Sequence, residues 1–132
     1  MIVLRERGFT LIELLIVMVV VGILAAIAIP KLNVTRERSY FATTKSDLKN
    51  LASQQEIYYA STYSYTSALS ALNVTESEGV SISINEATTS GWAATASHAG
   101  IPSDQCGLFY GNASAANASP ATVLGSVTCT RF

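Results

Sequence analysis

Hydrophobic positions along the chain change their rhythm as they go. From Phe9 to Ile29 only Thr10 and Glu13 are neither apolar nor glycine, which leaves 21 residues almost free of polar side chains. At about 1.5 Å per residue a helix of that length spans roughly 31 Å, the depth of a bilayer's hydrocarbon core, about 30 Å. A helix is the form such a segment takes in lipid, because each backbone N–H and C=O then finds its partner within the segment. After Pro30 the spacing becomes amphipathic. Phe41, Leu48, Leu51 and Tyr58 share one helical face, while Arg36, Lys45, Lys49 and Glu56 point elsewhere. Beyond Gly79 the rhythm is that of strands. Val80, Ile82 and Ile84 alternate with Ser81, Ser83 and Asn85, so one face meets a core and the other meets solvent.

These patterns predict an α+β fold: a long N-terminal hydrophobic helix whose C-terminal half packs on a small antiparallel β-sheet. The predicted strands are Gly79 to Asn85, Trp92 to His98, Gln105 to Tyr110 and Ser126 to Arg131, bounded by Gly, Asn, Ser and Pro and most easily joined as a meander. Residues 9–30 form the membrane half of the helix. Residues 31–132 form the head, divided into helix 31–58, a connecting loop 59–78 rich in Tyr, Ser and Thr, and the sheet region 79–132. In the loop, Tyr58, Tyr59, Tyr63 and Tyr65 are expected to cover the core beneath them. The run GNASAANASPAT reads as an exposed loop. Gly22 and Pro30 are the weak points of the apolar helix, costing about 1 and 3 kcal/mol relative to alanine in a helix interior. Pro30 also withholds a hydrogen bond from the carbonyl of Ala26, which suits a bend where the chain leaves the membrane.

The net charge of −1 conceals an uneven layout. Lys31, Arg36, Arg38, Lys45 and Lys49 make the start of the head basic, whereas Glu76, Glu78, Glu86 and Asp104 face only Arg131 and His98 further on. A mildly acidic head argues against direct nucleic-acid binding. Cys106 and Cys129 lie beyond the anchor, where an oxidising compartment would join them in a disulfide; two buried free thiols are the alternative. Neither has the CxxC neighbour or clustered histidine that zinc or dithiol redox chemistry needs. His98 stands alone and the head has no paired carboxylates at catalytic spacing, so no enzyme activity, metal or cofactor is expected. Asn33, Asn73, Asn112 and Asn117 each open an N-x-S/T triplet, a frequent coincidence in a chain rich in Ser and Thr.

Glu13 is an ionisable residue placed where insertion costs about 2.5 to 3.5 kcal/mol at a helix centre. Either it reaches the headgroups or a cation meets it in an assembly. Ala26-Ile27-Ala28 offers a competing reading, a signal-peptidase site that would release a secreted soluble binding domain beginning at Ile29. Glu13 and the length of the apolar run both argue against it.

Arg5 and Arg7 precede Gly8, and Phe9, Thr10, Leu11, Ile12 and Glu13 follow. This GFTLIE junction resembles that of type IV prepilins and their relatives, specifically over Gly8 to Pro30 and more loosely through the tyrosine-rich turn, the short sheet and the late cysteine pair. The resemblance implies residues 1–8 as a leader, removed by a prepilin peptidase that cuts after Gly8 and methylates the amine of Phe9. It implies that Glu13 attracts that amine on a neighbouring subunit, setting the register of a homo-oligomeric filament. Gly22 to Pro30 is then where the helix extends or adapts in the fibre. The partners implied are the inner membrane before assembly, the peptidase and the pilus assembly machinery, with the filament finally at the cell surface.

Major-type pseudopilins of type II secretion systems share this N-terminus. They often carry a carboxylate calcium site near the C-terminus, whereas here Asp104 is the single acid after Glu86 and the cysteine pair stands instead. That departure favours a pilus subunit.

Overall fold

The computed structural model describes residues 8–132, so Arg5, Arg7 and the rest of the expected leader before Gly8 lie outside the described residues. A single helix, α1, runs from Leu11 to Thr62. The chain divides into two compact units, one ending at Thr35 and one from Arg36 to Phe132.

In the first unit α1 includes both Gly22 and Pro30 without interruption. Among the described residues its apolar side chains are uncovered: an 18-residue window averages a hydropathy of 3.0 and none of it is buried. Length and composition suit this segment to crossing a membrane.

In the second unit one face of α1 is covered. Phe41, Leu48 and Leu51 are buried as their spacing predicts, and Tyr58 packs against them. The same face also buries Thr44, Asp47 and Gln55. Each is satisfied, as burial of a polar group requires. Thr44 Oγ1 donates to the carbonyl of Tyr40 at 2.8 Å. Asp47 accepts from the Ser77 amide at 2.7 Å and its hydroxyl at 2.8 Å. Gln55 accepts from the Thr66 amide at 3.1 Å and donates back to its carbonyl at 2.7 Å. Polar side chains thus pin the 63–79 segment to the helix. The helix itself ends four residues later than expected, at Thr62 rather than 58. The Tyr63 amide still donates to Tyr59, and Tyr63, at φ 55°, then turns the chain in a left-handed conformation ordinarily left to glycine.

The sheet is an antiparallel meander in the order β1 (Val80–Ala87), β2 (Gly91–His98), β3 (Gln105–Gly111) and β4 (Thr128–Cys129). β1 outlasts its alternating sequence because a bulge between Ile84 and Glu86 carries it on to Ala87. β4 is shorter than the expected Ser126 to Arg131. Ser126 closes a turn onto Val123, and Arg131 leaves the sheet to bind Asp104 and Glu37. Trp92, Ala94, Ala96, Cys106 and Leu108 complete the core against α1. His98 stacks on Tyr40 with ring centroids 4.2 Å apart, and its Nδ1 accepts the Gly100 amide at 2.9 Å.

The expectation of an exposed GNASAANASPAT loop needs correction. Ala113, Ala118 and Ala121 are buried with Ala93 and Phe109, in a second apolar cluster. A short 3-10 turn, Ala115–Ala118, lies so close to β3 that a Cβ on Gly107 would sit 1.7 Å from the Ala118 carbonyl oxygen. The small side chains that made the run look solvated are what permit this approach. Glu86 holds the segment down, accepting from the Ser114 amide at 2.9 Å and from Asn117 Nδ2 at 2.8 Å. Gly111 is needed for a similar reason, combining φ 65° with a Cβ position 1.9 Å from the Ser90 oxygen.

Candidate assembly site

The start of α1 is built as a capping box. Thr10 precedes the first helical residue, Leu11, and its amide and hydroxyl each donate to Glu13 Oε2 at 2.8 Å. The Glu13 amide returns a bond to Thr10 Oγ1 at 3.3 Å. Reciprocal bonds of this kind satisfy amides that the first turn would otherwise leave without partners. The sequence signal for it is the Thr-x-x-Glu spacing of Thr10 and Glu13. Glu13 therefore has a partner in its own chain. Both Thr10 bonds fall on Oε2, and Oε1 accepts none among the described residues.

Gly8 and Phe9 stand just outside the helix, and Phe9 is 82% exposed. A Cβ at Gly8 would meet nothing within 4 Å, and the same holds at Gly22. Neither glycine is demanded by packing among the described residues. Pro30 sits inside α1, exposed, with no effect on helix continuity.

The remaining candidate pair is far along the chain. Cys106 and Cys129 form a disulfide with Cα atoms 3.9 Å apart, directly opposite each other on β3 and β4. Ionic contacts absent from the sequence reading flank it. Arg131 Nη2 donates to Asp104 Oδ2 at 2.5 Å, Thr130 Oγ1 to Asp104 Oδ1 at 2.6 Å, and Arg131 Nη1 reaches Glu37 at 3.4 Å. The hydrogen bonds from Arg131 and then from Thr130 hold the Asp104 carboxyl below its ordinary range. Glu86 is likewise lowered, by Asn117 first and the Ser114 amide second. Tyr65, whose hydroxyl donates to Glu56 at 3.0 Å, is pushed up to about 12 by burial, with Glu56 adding to the effect.

The family model for the prokaryotic N-terminal methylation motif matches residues 3–29. The chain is 37% identical over 100 residues to the type IV wide pilus major component PilA4 of Thermus thermophilus, covering 73% of this chain and 76% of that protein. It is 48% identical over 56 residues to the type IV major pilin protein PilA of Myxococcus xanthus, covering 42% of this chain and only 26% of that longer relative. A third similarity, 33% over 63 residues, is to the type II secretion system core protein G of Pseudomonas aeruginosa, covering 48% of this chain and 44% of that protein. The methylation motif, the apolar helix followed by a four-stranded antiparallel meander, and a match spanning three quarters of a pilus component together place the chain: it belongs to the type IV pilin and pseudopilin family.

Proposed function

We propose that the chain is a structural subunit of a type IV pilus, polymerised through its N-terminal helix. Residues 1–8 are the leader, 9–30 the membrane and filament-core segment, and 31–132 the head. Prepilin peptidase cuts after Gly8 and the freed amine of Phe9 is methylated. A glycine with open space around it among the described residues fits a position read by an outside enzyme. The subunit waits in the inner membrane and then joins a fibre at the cell surface.

The observation that carries the reading is the start of α1. Glu13 is oriented by Thr10 through one oxygen, leaving Oε1 free of hydrogen bonds among the described residues and beside uncovered apolar surface. An ammonium group from a neighbouring Phe9 would complete that carboxylate. In a low-dielectric bundle the two charges recover through each other the solvation each lost, so the aligned register is favoured over slipped ones. The apolar helices pass from lipid to protein surroundings at little hydrophobic cost. Gly22 to Pro30, the intrinsically weakest helical stretch, is where the segment adapts during that passage.

A pseudopilin role is the second reading, favoured by the similarity to secretion core protein G. That match runs for 63 residues, against 100 for the pilus component, so the longer similarity supports the pilus.

Glu13→Gln is the test. Glutamine at this position preserves a capping box but carries no charge. The variant should insert, fold and be processed normally while giving few filaments in a sheared cell-surface fraction. Normal filament yield would contradict the register role.

A further inference from the structure

The head carries opposite charge on the two edges of its helix. Arg38, Lys45 and Lys49, spaced by seven and then four residues, follow one edge of α1. Their contacts place it beside the C-terminal segment: Lys45 Nζ donates to the Phe132 carbonyl, and the Arg38 guanidinium lies 5.3 Å from the centre of the Phe132 ring. Lys49 borders a cleft of about 380 Å³ whose floor includes Ala52, Leu108, Tyr110 and Val127. Glu56, on the same edge, is engaged by Tyr65.

The other edge is marked by Tyr40, Asp47 and Tyr58, with the buried stripe of Phe41, Leu48 and Leu51 between the two. Asp47 holds Ser77 there, so the exposed carboxylates of Glu76 and Glu78 flank this second edge. Arg36 lies on the same edge, eleven residues or about 16 Å of helix before Asp47. Among the described residues the ion pairs between side chains are those of Arg131 with Glu37 and Asp104, so Arg38, Lys49, Glu76 and Glu78 have no oppositely charged side chain within 4.0 Å.

Unpartnered apolar groups accompany both charges. Val123 and Leu124 are 60% and 56% exposed beside Gly125, which lines the Lys49 cleft. Ile57, 63% exposed, borders a groove of about 200 Å³ with Ala71 and Leu72 on the acidic side.

We propose that these edges are the two halves of one contact between successive copies of this chain. The Glu76 to Glu78 segment of one head seats on the Lys49 edge of the next, and Val123 and Leu124 of that second head meet the Ile57 groove of the first. The inference rests on the filament reading and names the head surfaces it uses. Because the halves lie on different sides of the head, each copy offers one of each and the contact is heterologous. A contact of that kind repeats into an open array unless its rotation closes. A second copy is the partner that carries both charges in this complementary arrangement. Exposed ion pairs are worth little singly and weaken with salt, so the contact does not hold two free heads together. Copies already held by their apolar helices meet at high effective concentration, where such a contact selects the arrangement.

Charge reversal in the full chain tests this. Lys49→Glu and Glu78→Lys should each lower sheared filament yield by about tenfold, through like charges brought face to face. The doubly reversed chain should recover to within about twofold of the unsubstituted one, which a merely structural role would not give. Formation of the Cys106–Cys129 bridge and the amount of processed chain in the membrane report folding of each variant. A Lys49→Cys/Glu78→Cys chain oxidised in intact filaments should give a ladder of multimers on a non-reducing gel. Single reversals at full yield, a double reversal no better than its parents, or products stopping at monomer or dimer would overturn the contact while leaving the filament reading intact. Failure of the unsubstituted chain to form filaments would overturn that reading and the contact with it.

Discussion

Thr10 and Glu13 form a reciprocal pair at the start of α1, each supplying the acceptor for the other's amide. The carboxylate is thereby fixed at the positive end of the helix, where an anion gains about 0.3 to 1 kcal/mol. Helix start and the proposed assembly charge thus share one side chain, and they can be separated. Thr10→Ala removes the cap, at a cost of about 1 kcal/mol to helix stability, but leaves the charge. It should retain most filament yield, measured in a sheared fraction, in contrast to the charge-neutral Glu13→Gln. A loss from Thr10→Ala alongside normal yield from Glu13→Gln would assign the effect to capping alone.

Gly107 and the Ala118 carbonyl define the closest approach of the 112–122 segment to the sheet. Gly107→Ala cannot be accommodated by a side-chain rotation, since the obstacle is backbone. We expect it to lift the short turn off Ala93 and Phe109 and to destabilise the head by about 1 to 3 kcal/mol. A denaturant midpoint equal to that of the unsubstituted chain would contradict the close packing.

The bridge between Cys106 and Cys129 closes a loop with a sequence separation of 23. Opening it with Cys106→Ser/Cys129→Ser should lower stability by roughly 3 kcal/mol through the unfolded chain's regained freedom. The measurement is the fall in denaturant midpoint together with a steeper slope, since the freed unfolded chain exposes more surface. Reductant should reproduce it on the unsubstituted chain.

Acid should weaken the head through Asp104 and Glu86. Both carboxyls titrate below their ordinary range when folded, whereas unfolded Asp and Glu titrate near about 3.9 and 4.3. Their contribution is complete above those unfolded values and is lost as pH falls through the lower, folded ones. Stability should therefore be flat above about pH 5 and decline below about pH 4. Asp104→Asn should reduce the slope of that decline, and an unaltered slope would remove Asp104 from the account.

The apolar run of residues 9–29 was legible because its composition and length suffice to mark it, and among the described residues it is exposed. Alternation in Val80, Ile82 and Ile84 likewise reported a sheet with one covered face. What escaped reading depended on partners distant in sequence. Asp47 and Gln55 look like surface residues until Ser77 and Thr66 supply their bonds. Tyr63 gives no stop signal because helices more often end at glycine. The run from Asn112 to Thr122 is small and polar, and its alanines are buried only because Gly107 lets the backbone come close. At the candidate assembly site the apolar positions were readable from composition, and the resemblance supplied the proposed roles of Gly8 and Glu13. The cap on Glu13 was readable from its spacing alone.

Intact mass and N-terminal peptide mapping of the chain recovered from sheared surface fibres tests the central claim most directly. The account predicts a chain that begins at Phe9, carries one methyl group on its amine, and gains two hydrogens on reduction of the Cys106–Cys129 bridge. A processed chain confined to the membrane, or soluble material beginning at Ile29, would contradict it.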